Sequence, residues 1–280
     1  MKYIRTYHLP WSQGSTSDDK TLKDTTHFKD KDVIATLKMD GENTGFTKHN
    51  IHARSLDSKD HPSRHWVKGL WGNIKCDIPE NLKFYGENLA AKHSILYKNL
   101  DTYLYIFAIL DLETNTFLSW ESVKEWCYLL NLETVPILYE GKWNEEIIKS
   151  IYREYDINGN IMEGYVVRNK ESFKYEDSST NLAKFVRKNH VTSASHWMYD
   201  KIVYNELIKM KEAYFIPHCD DYCGMGRFNY TCPYCNKNVD DYDIWYEQDN
   251  INETSGHQIL CESCKHNLKI VYKNYTFYVK

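Results

Sequence analysis

The alternation of apolar and polar residues predicts a chain built mainly from β-strands, with a few short helices between them. The first apolar run, residues 33–37, is rich in β-branched side chains and ends immediately before Lys38. Two shorter runs, 44–47 and 51–54, flank a His49–Asn50 turn, which is typical of a β-hairpin. Longer aromatic and β-branched runs follow at KFYGENL (83–89), YLYIFAILDL (103–112), GYVVR (164–168) and LAKFVR (182–187). This pattern favours an antiparallel-rich sheet.

Apolar residues at helical spacing predict four helices. The first lies around residues 66–71, and Ser119 is a suitable N-cap for the second. A third helix is expected over 143–155, with Asn144 as its candidate N-cap, and a fourth over 196–211. Residues 1–32 are polar without a clear period, so we expect them to wrap the domain or to stay mobile, and no catalytic residue is evident there.

Together these elements predict an α+β protein with two units. A chain of 280 residues that is 42% hydrophobic can bury one large core and leave room for a small second unit. After Pro217 the composition changes to Cys, Gly, Asn and Asp, which marks a boundary. We therefore expect an antiparallel-rich domain over residues 1–214 and a small cysteine-rich module over 215–280.

Composition and charge restrict the cellular setting more than the function. The 35 basic and 39 acidic residues nearly balance, so no whole-molecule field indicates a nucleic-acid partner. No apolar run reaches the roughly 18 residues of a membrane span, and the N-terminus lacks a signal-peptide core, which predicts a soluble, intracellular and cytoplasmic protein. Six of the eight cysteines follow position 215, and this clustering indicates metal binding in a reducing compartment.

The segment Lys38-Met39-Asp40-Gly41-Glu42-Asn43 places a lysine at a strand edge, followed by an acid and a turn glycine. A lysine amine is protonated at neutral pH, so it becomes a nucleophile only where burial or neighbouring cations lower its pKa. By itself the K-x-D-G pattern fits a hairpin turn with a solvated lysine equally well.

Further motifs follow in a fixed order: YGEN at 85–88, Asp111 at the end of an apolar strand, EGYVVR at 163–168 and AKFVR at 183–187. The ordered series resembles the motifs of the covalent nucleotidyltransferase superfamily, which comprises ATP-dependent RNA and DNA ligases and mRNA capping enzymes. Segments such as HARSLDSKDHPSR, YGENLAAKHSI, SWESVKEW and TVPILYEGKW resemble a bacterial and phage RNA ligase family. The resemblance spans about residues 33–190 and lapses beyond 215.

The resemblance implies a nucleotidyltransferase fold for the large domain and three catalytic residues. Lys38 would attack the α-phosphate of ATP and hold AMP as a phosphoramidate. Glu163 would bind Mg²⁺ or Mn²⁺, because hard cations prefer carboxylate and water oxygens. Lys184 would contact the phosphates and neutralise the charge that builds during phosphoryl transfer, and it would also lower the pKa of Lys38.

The resemblance also implies cofactor-binding residues. Asp40 would contribute to the nucleotide site, Arg54 would touch the nucleotide or the RNA end, and Glu87 would accept hydrogen bonds from the ribose hydroxyls. Two departures from the family pattern affect the rest of the site. Arg187 would contact the phosphates together with Lys184, but the final motif usually reads Lys-x-Lys, whereas here Arg187 lies three residues after Lys184. Asp111 is preceded by Leu110 rather than by an aromatic residue, so either Leu110 or the earlier Phe107 would cover the adenine base.

The C-terminal module contains two C-x-x-C pairs, Cys232/Cys235 and Cys261/Cys264. Two such pairs place four thiolates around one tetrahedral ion, and this spacing is typical of a zinc ribbon. The spacing does not distinguish Zn²⁺ from iron, and Zn²⁺ is the default choice. The module either grips RNA, using side chains such as Tyr230, or serves as a metal-stapled structural appendage.

These observations predict an ATP-dependent RNA ligase that joins 5′-phosphate and 3′-hydroxyl ends through lysyl-AMP and an adenylylated 5′ end. RNA ends are the expected substrate in RNA repair, and the chemistry is compatible with an end-healing kinase or phosphatase partner. Three alternatives remain open: a DNA ligase, although the cysteine-rich tail leaves little room for an OB barrel, a GTP-using capping guanylyltransferase, and a non-catalytic zinc-containing RNA-binding protein.

Overall fold

The structure is a computed structural model that describes residues 1–16, 18–55, 60–188, 201–208, 211–217, 225–240, 244–245, 258–260, 267–273 and 276–279. The chain divides into two compact units, Met1–Leu207 and Ile208–Lys280. Each unit is described by itself below.

The first unit is an α+β structure in which short helices connect two sheets. Its strands are β1 (Tyr7–His8), β2 (Asp32–Lys38), β3 (Glu42–Phe46), β4 (Ile51–Ala53), β5 (Leu82–Asn88), β6 (Leu104–Asp111), β7 (Thr116–Phe117), β8 (Glu133–Thr134), β9 (Ile137–Lys142), β10 (Gly164–Asn169), β11 (Phe173–Lys174) and β12 (Leu182–Val186). Its α-helices are α1 (His65–Ile74), α2 (Trp120–Leu129) and α3 (Glu145–Ser150). Single-turn or short 3₁₀ helices cover Thr26–Phe28, Pro62–Arg64, Lys75–Asp77 and Tyr175–Thr180.

Both sheets are mainly antiparallel. The first has the order β1-β12-β10-β2-β9, in which only the β1–β12 pair is parallel. The second has the order β11-β7-β6-β5-β3-β4, with β8 added parallel to β6. The antiparallel-rich α+β architecture predicted from the sequence is therefore confirmed for this unit.

The central strands of the first sheet fix the positions of the lysines that the motifs single out. Lys38 pairs with Gly164, and Lys184 pairs with Val166, which itself faces Thr36 on β2. Because side chains alternate along a strand, Lys38 and Thr36 share one face of the sheet. A Cβ on Gly164 would lie 2.0 Å from the carbonyl oxygen of the facing strand, so only glycine permits this approach.

The helices follow the predicted N-caps but not all of the predicted lengths. Ser119 accepts a hydrogen bond from Ser122 N at the start of α2, and Asn144 caps α3 through two backbone amides. Helix α3 ends at Ser150 rather than at 155, because Tyr155 pairs with Ile161 in a β-bridge.

The fourth predicted helix is wrong where it can be compared with the structure. Of residues 196–211, the described stretch 201–208 contains no helix and instead pairs with the loop at 90–100 through two β-bridges. The buried side chain of Asn205 accepts a hydrogen bond from Tyr97 N at 2.8 Å and donates one to Leu89 O at 2.8 Å. These tertiary hydrogen bonds outweigh the helical spacing of the apolar residues.

The described residues of the second unit form a separate antiparallel sheet. Its strands are β13 (Lys211–Pro217), β14 (Met225–Thr231), β15 (Asn238–Asp240), β16 (Ile244–Trp245), β17 (Gln258–Leu260), β18 (Asn267–Lys273) and β19 (Thr276–Val279). They have the order β15-β14-β13-β19-β18-β17, and β16 also pairs with β14. In neither unit does a described helix have the length and apolar composition needed to cross a membrane.

Candidate functional site

A cavity of about 760 Å³ lies between the two sheets of the first unit. The first sheet contributes Thr36, Lys38 and Lys184 to its wall, and the second contributes Glu87 and Phe107. Motifs that are up to 146 residues apart in the sequence therefore meet at one place, as the ordered series of motifs predicts.

Lys38 forms a close ion pair with Glu163. Nζ of Lys38 donates a hydrogen bond of 2.6 Å to Oε2 of Glu163, whose side chain is only 6% exposed. Burial lowers the pKa of Lys38, but the carboxylates of Glu163 and Glu87 outweigh burial and raise this pKa above its usual value. The sequence predicts that neighbouring cations lower this pKa, but the pKa is raised instead because acids surround the amine.

Glu87 faces the same lysine from the second sheet. Its Oε1 accepts a hydrogen bond of 3.0 Å from the backbone N–H of Gly41, which ties it to the K-x-D-G turn. Burial raises the pKa of Glu87 to about 8, although the charge of Lys38 acts in the other direction. A Cβ on Gly41 would lie 2.5 Å from the carbonyl oxygen of Asn88, so glycine is required where this turn meets β5.

Asp40 organises the turn and does not line the cavity. Its Oδ2 accepts hydrogen bonds from the backbone amides of Ser94 at 2.7 Å and Ile95 at 2.8 Å. Its own amide donates to the hydroxyl of the buried Tyr97 at 2.8 Å. This carboxylate therefore holds the loop that follows the YGEN motif, a role that the sequence did not indicate.

Lys184 approaches the cavity from β12. Burial lowers its pKa, the nearby carboxylate of Asp19 opposes this shift, and the charge of Lys38 adds to it. Nζ of Lys184 lies 3.7 Å from Oδ1 of Asp19. No described residue accepts a hydrogen bond from this ammonium group, which leaves its donors directed at the cavity.

The remaining nucleotide-binding candidates separate into two groups. Arg54 and Phe107 line the cavity. Leu110 does not line the cavity and is fully buried in a cluster with Tyr85 and Phe117. Of the two residues considered for covering the base, only Phe107 faces the cavity.

Arg187 also lies off the cavity wall. A residue three positions after Lys184 cannot share its strand face, whereas a Lys-x-Lys spacing would place both cations on one side. Its backbone amide donates to Glu163 O at 3.0 Å, so its main chain fixes the end of the β10–β12 pair.

The N-terminal segment contributes residues that sequence reasoning missed. Tyr3 and Asp19 both line the cavity, although residues 1–32 were expected to contain nothing of catalytic interest. The ring of Tyr3 packs edge-on against Phe107 at a centroid distance of 4.9 Å. A polar segment without periodicity gives no signal of such contacts, because they depend on the parallel β1–β12 pairing.

Arg64 is engaged within the protein. Its guanidinium group forms a bidentate pair with Glu42, at 2.6 Å from Nε and 2.5 Å from Nη2, and both residues line the cavity. This pair fixes the residue that follows the K-x-D-G turn.

The cysteine sites are only partly described. Cys232 is fully buried, its carbonyl accepts from Asn236 N at 3.0 Å, and its amide donates to Lys237 O at 2.9 Å. Asn236 adopts a left-handed backbone conformation with φ 60°, which closes a tight turn around Cys232 and Cys235. Cys261 and Cys264 lie outside the described residues. Tyr230, considered for stacking on RNA, is 2% exposed and therefore packs within this unit.

No group of three or more His, Cys, Asp or Glu side chains able to hold a metal ion occurs within the described ranges. Mg²⁺ does not require one, because it commonly binds one or two carboxylates and completes its shell with water and substrate phosphates. The carboxylates of Glu163 and Glu87, both close enough to Lys38 to shift its pKa, supply oxygen donors of that kind.

Comparisons with known proteins bear on this geometry. The family model described as RNA ligase matches residues 31–186, more than half of the chain. No curated protein matches the chain.

Several solved structures are also similar to the chain. A mutant RNA ligase from Naegleria gruberi in its apo form is 18% identical, covering 58% of this chain and 51% of that one with a TM-score of 0.45. A second mutant with ATP and Mn is 17% identical, covering 67% and 61% with a TM-score of 0.46. A third with AMP and Mn is 16% identical, covering 66% and 61% with a TM-score of 0.43. This chain thus spans about half to three fifths of the length of these structures.

The matched segment, 31–186, begins just before β2 and ends with β12, so it contains Lys38, Glu87, Glu163 and Lys184. The chain therefore belongs to the RNA ligase family.

Proposed function

We propose that this chain is an ATP-dependent RNA ligase that joins a 5′-phosphate to a 3′-hydroxyl through AMP held covalently on Lys38. The observation that carries the proposal is the position of Lys38 in the cavity, hydrogen-bonded to Glu163 and facing Glu87 and Lys184. A solvated turn lysine would have no such surroundings. The RNA ligase family match supports RNA rather than DNA as the substrate.

In the first step, Nζ of Lys38 attacks the α-phosphorus of ATP, a P–N bond forms, and the bond to the pyrophosphate oxygen breaks. The amine must first lose a proton, and Glu163 at 2.6 Å is the nearest acceptor. The raised pKa of Lys38 means that the ligand-free site holds the amine as an ammonium ion. When bound at Glu163, a divalent cation such as Mg²⁺ or Mn²⁺ offsets the carboxylate charge and polarises the phosphate oxygens.

The other side chains would bind the nucleotide. Glu87, fixed through one oxygen by Gly41, would present its other oxygen to the ribose hydroxyls. Phe107 would cover one face of the adenine base by stacking. Lys184 and Arg54 would neutralise the negative charge of the phosphates during transfer.

Two further transfers would complete the reaction. An oxygen of the RNA 5′-phosphate attacks the phosphorus of lysyl-AMP, the P–N bond breaks, and Nζ of Lys38 regains a proton. The 3′-hydroxyl oxygen then attacks the activated 5′-phosphate, loses its proton, and AMP leaves. Lys184 is suited to both steps, because each builds negative charge on a phosphate.

We also propose that residues 1–214 carry this chemistry and that residues 215–280 form a Zn²⁺-binding module. The tight turn that holds Cys232 and Cys235 supports the second part, because it brings two sulfur ligands to one side of a hairpin. Cys261 and Cys264 would complete a tetrahedral site.

The test is covalent labelling. Full-length protein, first stripped of bound AMP with pyrophosphate, is incubated with α-labelled ATP and Mn²⁺ and then denatured. Label should remain on the wild-type protein and on Lys48→Ala, because Lys48 pairs with Glu80 away from the cavity. Label should be absent from Lys38→Ala.

Three outcomes would overturn the proposal. Folded, AMP-free wild-type protein that takes no label would exclude the covalent mechanism and favour a non-catalytic RNA-binding protein. Stronger labelling from GTP than from ATP would indicate a capping guanylyltransferase. Labelled enzyme that seals nicked DNA but no RNA end would exclude RNA as the substrate.

A further inference from the structure

The loop before β2 is fastened along β12 and carries an acid into the cavity. Leu9 N donates to Lys184 O at 2.8 Å, and Gly14 N donates to Val186 O at 2.8 Å. Trp11 Nε1 donates to the hydroxyl of Tyr165 at 2.9 Å. The two backbone bonds fix the loop to β12, the strand that carries Lys184, and the Trp11 bond fixes it to the neighbouring strand β10.

Asp19 is held in one orientation by this loop. Its Oδ2 accepts hydrogen bonds from the backbone amide of Thr16 at 3.1 Å and from its hydroxyl at 3.0 Å, and lies 3.4 Å from Nε2 of the buried His8. The other oxygen, Oδ1, is thereby directed toward Nζ of Lys184 at 3.7 Å. Both carboxylate and ammonium line the cavity.

The spacing between Asp19 and Lys184 indicates attraction without a hydrogen bond. A distance of 3.7 Å exceeds the range in which an N–H donor bonds an oxygen, so Lys184 keeps its donors for another acceptor. Burial raises the pKa of Asp19, but the hydrogen bonds from Thr16 and the charges of Lys184 and His8 lower it to about 2. Asp19 is therefore anionic at any pH at which the enzyme works.

We propose that Asp19 is a positioning residue that competes with pyrophosphate for Lys184 and so promotes the release of pyrophosphate after Lys38 has been adenylylated. The inference rests on the proposed function, because it assigns a role in the first step of that reaction. A fixed anion beside the cation that would bind the phosphates lowers the affinity for every polyphosphate. The affinity is lowered for pyrophosphate as well as for ATP. Weaker binding of pyrophosphate opposes the reverse reaction, in which ATP is re-formed from lysyl-AMP.

The reversal offers a direct measurement. In it, an oxygen of pyrophosphate attacks the phosphorus of lysyl-AMP, ATP forms, the P–N bond breaks, and Nζ of Lys38 recovers the electron pair and a proton. Tighter pyrophosphate binding therefore appears as loss of labelled AMP at a lower pyrophosphate concentration.

The sign of the effect separates this role from two others. If Asp19 competes with pyrophosphate, removing its charge tightens pyrophosphate binding. If it instead bound a metal ion that carries pyrophosphate, or merely oriented Lys184, the same change would weaken binding. A purely structural role in the loop would change the stability of the protein without changing the pyrophosphate concentration at which labelled AMP is lost.

The experiment uses full-length protein labelled with AMP and compares wild type with Asp19→Asn, Asp19→Glu and the matched control Asp18→Asn. Asp18 is exposed and does not line the cavity. For Asp19→Asn we expect half-maximal AMP loss at a pyrophosphate concentration about threefold to tenfold lower, the size of one partly exposed charge interaction. Asp19→Glu should restore the wild-type value, and Asp18→Asn should retain it.

An unchanged or higher pyrophosphate requirement in Asp19→Asn would overturn the inference. If that variant does not fold, Asp19→Ser removes the charge while keeping an acceptor for the Thr16 amide, and the same criterion applies. Wild-type protein that takes no label would instead contradict the proposed function, so the two failures are distinguishable.

Discussion

Replacing Glu163 with glutamine should lower the pKa of Lys38, because the change removes the carboxylate charge that lies against the amine. The two charges lie 2.6 Å apart in the structure. With an effective dielectric constant of about 20, Coulomb's law gives ~6 kcal/mol as an upper bound on this attraction. The remaining Glu87 carboxylate, the side-chain amide and solvent reduce the effect of the substitution on Lys38.

The sign follows from the protonated form. Glu163 stabilises the ammonium ion, so its loss favours the neutral amine, and Lys38 should become reactive at lower pH. The assay is competitive acylation of lysines over a pH series in the presence of EDTA, with the Lys38 peptide quantified by mass spectrometry. Glu80→Gln is the matched control, because Glu80 pairs with Lys48 outside the cavity.

A reactivity midpoint for Lys38 that does not move, or that moves to higher pH, in Glu163→Gln would refute this reasoning. It would mean that burial rather than the carboxylate dominates the environment of the amine. The measurement requires no catalysis, so it tests the electrostatics separately from the proposed reaction.

Three further predictions concern a glycine on β10, the carboxylate of Asp40, and the cysteines of the second unit. Gly164→Ala places a methyl group 2.0 Å from a carbonyl oxygen, so urea denaturation should show a loss of about 3 kcal/mol or more, whereas Gly69→Ala, with open space around it, should cost nothing. Asp40→Ala leaves two backbone amides without their acceptor and should reduce the free energy of unfolding by about 1–3 kcal/mol, and an equal loss in Asp40→Asn would contradict a hydrogen-bonding role. Purified protein should contain about one Zn²⁺ per chain. Cys232→Ser should lose this ion and Cys127→Ser should keep it, and equal zinc contents would argue against the ribbon.

The sequence predicts the strands that carry the motifs because their signal is local. Residues 33–37 form a β-branched run that is buried on both sides, and the strand indeed ends at Lys38. The N-caps Ser119 and Asn144 are equally local, since each requires only a side-chain oxygen within three residues of the amides it accepts. The resemblance in ordered motifs supplies the rest of the candidate site.

What the sequence does not predict depends on register and on distant partners. The segment 201–208 has helical spacing, yet Asn205 finds buried backbone partners more than 100 residues away. From the sequence alone, Leu110 and Phe107 are equally good candidates for covering the adenine base. The structure distinguishes them, because Phe107 faces the cavity in the bulged β5–β6 register. Packing between the sheets determines these positions, and local propensity does not include that packing.

The direction of the pKa shift of Lys38 is the property that the sequence predicts least well. The motifs contain both acidic and basic residues, and their numbers alone do not predict whether the pKa of Lys38 is raised or lowered. Two distances decide it: Glu163 lies 2.6 Å from the amine, whereas Lys184 is drawn toward Asp19 on the N-terminal loop. An acid from a segment without any motif thus offsets the charge of Lys184, a motif cation that lines the same cavity as Lys38. For that reason we expect the N-terminal loop to influence how strongly this cavity would bind phosphate groups.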